Sequence, residues 1–313
     1  MSDNPPIEFA FPELGKWEKG AAPYIHVLES GKPGPTVMVA SLTHGNEVSG
    51  AIVVDALLAA GLKPRQGTLI FSFNNIEAYH SFDAKNPFKS RMIDEDFNRT
   101  WGRLDQPATT LETRRAQVVK PFVERADFLL DLHSMHDDCV PLMLCGPLDR
   151  GAALAEKLGT PVDIVRDRGH AAGMRMRDYG AFGDPKSSRT ALLIETGQHW
   201  RASSVAVAKD VTARFLAETG TMEEADLPKG WKQPALAKQR VVQVTHAIAT
   251  KRGNFISARR FEGQEVIAKA GTVLGHDDGE PVTTPYDNCV LVMPSINRPL
   301  RAGVTVVRLG RLI

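Results

Sequence analysis

From about residue 35 to residue 219 the chain alternates two patterns of apolar and polar positions. Short runs that are apolar almost throughout, TVMVASL, TLIFSFN, FLLDLH and TALLIE, are separated by longer stretches whose apolar residues recur at helical spacing. Continuous apolar runs of this length predict strands covered on both faces. The intervening VSGAIVVDALLAAG, closed by Gly61, LETRRAQVVKPFVERA, DRGAALAEKLG and RASSVAVAKDVTARFLAE predict helices. Pro121, inside the second of these, predicts a kink or a split, because proline has no N–H and its ring crowds the preceding turn. The alternation predicts an α/β domain with a mixed or largely parallel central sheet.

After Glu218 the pattern changes. TGTMEEADLPKGWKQPAL is polar and carries prolines and glycines, which predicts a linker over residues 221–236. Beyond it, VVQVTHAIA, VLVMPS and VTVVRL are separated by turn-forming RGN, AGT, DDGE and PYDN. Residues 237–313 are therefore expected to form a small all-β domain, and residues 1–220 the main domain.

Composition narrows the function classes. A chain of 313 residues with 42% hydrophobic content can bury a core large enough for such a pair of domains. A net charge of +1, with no lysine- or arginine-rich run, argues against a nucleic-acid partner. Cys139, Cys145 and Cys289 form no CxxC pair and no even-numbered framework, which favours a reducing compartment over a disulfide scaffold. MSDNPPIEFAFPELGKW has no basic segment followed by an apolar one, and no stretch reaches membrane-spanning length. The expectation is a soluble cytoplasmic protein with no membrane partner.

Ligands of open α/β sheets gather at the carboxyl ends of the strands. Here those ends carry His44 and Glu47, Asn74 and Asn75, His133, and Glu195. Two histidines and a glutamate, with a second glutamate beside them, are the residue set of a catalytic zinc site. Each has a plainer reading. Glu47 suits the dipole of a helix capped by Asn46, His133 suits a buried imidazole bonded to a carbonyl, and Glu195 suits an arginine pair. Convergence of three strand ends favours the metal. In NPFKSRMIDEDFNRTWG, Arg91, Asn98 and Arg99 suit an anion clamp, or arginines paired with Asp94, Glu95 and Asp96 in a solvated loop. Residues 163–189 hold Arg166, Arg168, Arg175, Arg177, Lys186 and Arg189, either a basic lining or a solvated surface. His170, Tyr179, Gln198, His199 and Trp200 are further candidates for pocket walls, and Tyr286, in the turn TPYDN, is a candidate contact from the small domain.

HGNE at 44–47, SRMIDEDFNR at 90–99, LLDLHS at 129–134 and LLIETGQ at 192–198 together resemble the succinylglutamate desuccinylase and aspartoacylase family of carboxypeptidase A-like zinc hydrolases. The resemblance covers roughly residues 35–220, and the β-rich C-terminal segment is similar to the small domain such proteins carry. It implies a three-layer fold with a mixed sheet, and one zinc per chain held by His44, Glu47 and His133. It further implies that Glu195 is the general base, that Arg91 polarises the scissile carbonyl, and that Asn98 and Arg99 hold the carboxylate of a small anionic substrate. Phe97 departs from the leucine more usual in relatives, a change in packing behind the clamp. Related proteins are commonly dimers or higher homo-oligomers.

The leading expectation is deacylation of an N-acyl amino acid, with acetyl, succinyl or another acyl group left open. A zinc carboxypeptidase acting on short peptides shares the chemistry; a small domain capping the cleft favours the first, an open cleft the second. A non-catalytic metal-bearing binding module is a third, against which Glu195 and Arg91 count, since a binder has no use for a base beside a metal.

Overall fold

Valine, isoleucine, leucine and phenylalanine alternate between two covered faces along the central strands, and the sequence runs set the elements. The computed structural model describes residues 5–234, 238–295 and 302–313. Strand β1 (Ile25–Glu29) is followed by β2 (Thr36–Ser41), helix α1 (Ser49–Ala59), β3 (Thr68–Phe73) and the short α2 (Ile76–His80). Next come α3 (Leu111–Arg125), β4 (Phe128–Met135), β5 (Leu142–Leu144), α4 (Asp149–Leu158), β6 (Asp163–Arg166), β7 (Thr190–Gln198) and α5 (Ala202–Glu218). The C-terminal part holds β8 (Arg240–Ala249), β9 (Phe255–Ser257), β10 (Val266–Ile267), β11 (Val273–Asp277), β12 (Glu280–Thr283), β13 (Cys289–Val292) and β14 (Thr305–Leu312).

An 11-stranded mixed sheet in the order β1-β3-β2-β4-β7-β5-β6-β8-β14-β13-β10 runs through the molecule, beside a smaller antiparallel sheet β12-β11-β9. β3, β2, β4 and β7 are parallel, so their carboxyl ends share one edge. The period of two along a strand sorts the core. Val37, Val39, Leu130, Leu192 and Ile194 pack with α1, α4 and α5 on one face. Met38, Ala40, Leu129 and Ala191 pack with Ala116, Val119 and Val123 of α3 on the other. Helices on both faces give the expected three layers and explain why these strands read as unbroken apolar runs.

Two expectations meet a different outcome. Pro121 does not split its helix, since α3 runs from Leu111 to Arg125 across it. A capping box on Thr110 fixes the start, and the stripe of Ala116, Val119 and Val123 holds the helix to the sheet despite one missing N–H. Residues 221–234 are no solvated linker, because Met222, Leu227 and Trp231 are buried in the main core. Residues 235–237 lie outside the described part. β8 then pairs in parallel with β6, so the sheet continues into the C-terminal region, whose own apolar cluster includes Phe261, Leu274, Leu291 and Val307. No helix among the described residues is long and apolar enough to cross a membrane.

Candidate active site

β2 ends at Ser41 and the chain turns through HGNE before α1 begins at Ser49, so Asn46 and Glu47 precede the helix and cap nothing. Gly45 permits this turn. A Cβ there would stand 2.3 Å from the Ala78 carbonyl carbon and 2.5 Å from the Ser90 oxygen. Its N–H donates to the Arg91 oxygen at 3.1 Å, which ties the turn to the loop that carries the arginine. Gly50 lets α1 lie against β4, since an added Cβ would meet Leu132 Cβ at 2.7 Å. His44, Glu47 and His133 are brought together by these two close approaches.

The three are buried, and one ligand atom from each lies within 4.8 Å of the others. His44 Nδ1 is 2.8 Å from Glu47 Oε1, and His133 Nδ1 is 2.9 Å from Glu47 Oε2. The far nitrogens meet carboxylates as well, His44 Nε2 at 2.9 Å from Asp96 Oδ1 and His133 Nε2 at 2.8 Å from Asp131 Oδ2. Imidazoles oriented from behind by carboxylates, with the other nitrogen facing a shared centre, are how metal-ligating histidines are held. Burial opposes charge on Glu47 and on His133. The two imidazoles outweigh it and hold the Glu47 carboxyl well below its ordinary range, while Asp131 and Glu47 hold His133 well above its own.

Glu195, three residues before the end of β7, is buried and faces this cluster, and its Oε2 has no hydrogen-bond partner among the described residues. Burial, and then the Glu47 carboxylate, push its carboxyl up to about 8. Four carboxylates thus crowd two imidazoles in a water-poor site, and among the described residues Glu195 Oε2 and Asp131 Oδ2 make no hydrogen bond. Two imidazoles and carboxylate oxygens suit zinc, and a divalent cation offsets the excess negative charge. The donor set fits the metal the sequence implies.

Arg91 spans the front of the cluster. Its Nη1 donates to Glu47 Oε1 at 3.0 Å, and its Nη2 lies 3.2 Å from Asp96 Oδ2 and 2.8 Å from His44 Nε2. Against the cost of burial, Asp96 and Glu47 keep it charged. Asn98 presents Nδ2 3.5 Å from His133 Nε2, while its Oδ1 accepts from the Met176 N–H at 2.9 Å. Arg99 donates Nη1 to the Asn98 oxygen at 2.7 Å. Phe97 is fully buried edge-on to Trp101 behind them.

Glu112, which the sequence reading passed over, organises this loop. Its buried carboxylate accepts from the N–H groups of Ile93, Asp94 and Glu95 at 2.7, 3.1 and 3.3 Å and from Asn75 Nδ2 at 3.2 Å. The loop is therefore neither a bare clamp nor a solvated coil. Asp131 was also missed, although it stands two residues before His133 on the same face of β4, a spacing that could have exposed it.

A cavity of about 530 Å³ opens over the cluster, lined by His44, Glu47, Arg91, Asn98, Arg99, His133 and Glu195. His170, Arg175 and His199 also line it. His199 receives or donates the bond to Ser134 Oγ at 2.8 Å, and burial pushes its imidazole down to about 3. Gln198, Trp200 and Tyr179 do not line the cavity; Trp200 is buried beneath Phe88, and Tyr179 donates to Glu124. The arginines of residues 163–189 mostly serve the fold. Arg175 makes a paired contact with Asp167 at 2.8 and 2.9 Å, and Arg177 donates to the Cys145 and Ala191 oxygens. The C-terminal region contributes Phe261, Met293, Pro294, Val304, Thr305 and Arg308 to the cavity lining. Tyr286 is not among these residues. Its hydroxyl bonds Thr245 Oγ1 and its ring packs on the C-terminal core, so the expected contact is absent from the cavity wall.

A buried His–Glu–His set faced by a carboxylate with an unpartnered oxygen defines the class of protein: an enzyme of the metal-dependent hydrolases. Residues 33–218 match the succinylglutamate desuccinylase/aspartoacylase catalytic domain, and the chain belongs to that family as a zinc-dependent hydrolase. The fold matches succinylglutamate desuccinylase of Vibrio parahaemolyticus with a TM-score of 0.69 at 17% identity, over 93% of this chain and 86% of that one. It also matches the product-bound ectoine utilization protein EutE (DoeB) of Ruegeria pomeroyi, with a TM-score of 0.65 at 18% identity over 91% and 88%. A succinylglutamate desuccinylase/aspartoacylase of Rhodobacter sphaeroides gives 0.65 at 19% over 92% and 88%. At these identities the likeness establishes the fold. No curated protein matches the chain.

Proposed function

We propose that the chain is a zinc-dependent amidohydrolase that removes the acyl group from an N-acyl amino acid, releasing the free amino acid and a carboxylic acid. The observation that carries this reading is the pair of imidazoles, each with Nδ1 on Glu47 and Nε2 on a carboxylate. His44, Glu47 and His133 would hold the zinc, which when bound supplies Lewis acidity and a hydroxide nucleophile near neutral pH.

The protein's own groups do the rest. Glu195 Oε2, buried without a partner, accepts a proton from the attacking water and later delivers it to the leaving amine nitrogen. With a dication opposite, its raised carboxyl falls back toward the range of a working base. Arg91, held charged by Asp96 and Glu47, donates to the carbonyl oxygen as negative charge develops there. Asn98 and Arg99 hold the substrate carboxylate. In this reading residues 1–220 carry the catalytic groups, and residues 237–313 the wall that limits substrate size. The wall that Phe261, Met293 and Val304 add on one side of the cavity favours acyl amino acids over longer peptides. Three free cysteines suit a reducing cytoplasm.

The test is zinc content per chain with a panel of N-acyl amino acids and dipeptides. The wild type should hold about one zinc per chain and favour the acyl amino acids. His133→Ala should lose metal and turnover together, and Glu195→Gln should lose turnover alone. Zinc loss in Glu195→Gln equal to that in His133→Ala would refute the division of roles, and a preference for dipeptides would move the enzyme to the carboxypeptidases.

A further inference from the structure

Leu192 and Ile194 of β7 enter the core that packs against α1, so the period of two puts position 196 on the same face. The residue there is threonine, and it is 1% exposed. Valine has the same shape, and a hydroxyl withdrawn from water is costly unless it is bonded. The Thr196 hydroxyl is bonded twice. It donates to the His133 carbonyl oxygen at 2.9 Å, and with its one proton spent there it accepts from Ser49 Oγ at 3.1 Å. Ser49 is fully buried and opens α1 two residues after Glu47. One line of hydroxyls therefore joins the three segments that carry the cluster: the turn holding Glu47, β4 with His133, and β7 with Glu195.

That line crosses the place where the sheet changes register. His133 stands opposite Glu195 but Met135 stands opposite Gln198, so Thr196 and Gly197 of β7 face the single Ser134 of β4. Gly197 takes a φ of +115°, which side chains rarely adopt. An extra residue bends its strand and re-aims the side chains next to it, and the neighbour here is Glu195. His133 is placed by more than its backbone, since its ring nitrogens lie 2.9 Å from Glu47 Oε2 and 2.8 Å from Asp131 Oδ2. Glu195 Oε2 has no partner among the described residues, so the carboxylate takes its aim from the strand beneath it.

We propose that Thr196 is a positioning residue whose hydroxyl fixes the bulge at 196–197 and thereby holds the Glu195 carboxylate in the orientation that proton transfer requires. The inference rests on the amidohydrolase reading for the proton that Glu195 moves. Without the hydroxyl, the His133 carbonyl and the Ser49 hydroxyl each lose a partner and the register shift can relax. A displacement of about 1 Å is enough to cost roughly 100-fold in the chemical step.

The experiment compares wild type, Thr196→Val, Thr196→Ser and Ser49→Ala, all zinc-loaded, on the best-hydrolysed member of a panel of N-acetyl and N-succinyl amino acids. Thr196→Val should lower kcat by roughly 30-fold and leave KM within about twofold. Thr196→Ser keeps the hydroxyl and should recover most of the loss. Ser49→Ala breaks the same line from its far end, should lower kcat by about fivefold, and serves if Thr196→Val does not fold. Added to Glu195→Gln, Thr196→Val should cost nothing further in residual turnover, because a residue that acts through Glu195 has nothing left to act on. Wild-type kcat in Thr196→Val, equal losses in the valine and serine variants, or full additivity with Glu195→Gln would overturn the proposal. Zinc affinity, measured by chelator competition, should stay within about threefold of wild type; a loss of about tenfold or more would assign Thr196 to His133 and the metal instead. Crystal structures of zinc-loaded wild type and Thr196→Val give a readout that needs no substrate. The Glu195 carboxylate should be displaced or divided between conformers, with His44, Glu47 and His133 unmoved. That displacement without hydrolysis of any panel member sinks the amidohydrolase and keeps the positioning role; hydrolysis with superimposable Glu195 does the reverse.

Discussion

The two walls of the cavity are built differently. On the side of the strand ends nearly every polar group has a partner: Glu47 with both imidazoles, Asp96 with His44 and Arg91, Glu112 with three backbone N–H groups. On the side of residues 237–313 the wall is mostly apolar, Phe261, Met293, Pro294 and Val304, with Arg308 among them making no hydrogen bond or ion pair to the described residues. The networked wall fixes reacting groups to within the tolerance that catalysis demands. The apolar wall has little to fix, and it can change which molecules enter without disturbing what happens to them.

The largest effect away from the metal ligands should come from Glu112, which touches none of the reacting groups. Glu112→Gln leaves one oxygen where two served four donors, so the 93–95 loop loosens and Arg91 moves with it. Stability should fall by about 3 kcal/mol in chemical denaturation. The turnover number should drop roughly 100-fold with zinc retained. An unchanged turnover number would show that the network serves the fold alone and would erase the contrast between the walls.

The opposite wall should respond in specificity. Met293→Ala enlarges the cavity beside the substrate. It should shift kcat/KM toward longer acyl groups by about tenfold per added pair of methylenes at most, with little change for the best small substrate. A uniform loss across acyl lengths would place Met293 in the catalytic support instead.

The smallest effect is on pH dependence. His199 is neutral in the fold, with its imidazole pushed from 6.5 down to about 3 by burial. Below 6.5 the unfolded chain takes up a proton there that the folded chain refuses, so the folded state loses stability as pH falls from 6.5 toward 3. Above 6.5 this loss is absent. Thermal melts should show the slope, and His199→Gln should make it shallower, with His170 and carboxyls held low in the fold, such as Asp96 and Asp167, supplying the rest.

Much of the networked wall was legible in the sequence because its residues sit where apolar runs end. A strand covered on both faces announces itself by composition, and the polar residue that stops it is conspicuous, as His133 and Glu195 are. Glu112 was not legible, since a glutamate in the first turn of a helix serves the helix dipole just as well. Its role depends on a loop 17 to 19 residues upstream folding back onto it. Tyr286 drew attention as an aromatic in a turn, while Arg308, the one charge between Val307 and Leu309, reads from sequence as the solvent face of a half-covered strand. Which face is solvent depends on where the sheet runs, and that is set by β6 pairing with β8, a contact between segments separated by more than seventy residues.

That parallel ladder, Asp163 opposite Arg240 through Arg166 opposite Gln243, has a consequence for how the enzyme chooses its substrates. A cleft between separately hinged bodies can gape to admit a large molecule and then shut upon it. Here one hydrogen-bonded sheet runs from the strand-end wall into the C-terminal wall, so the two walls share a single frame.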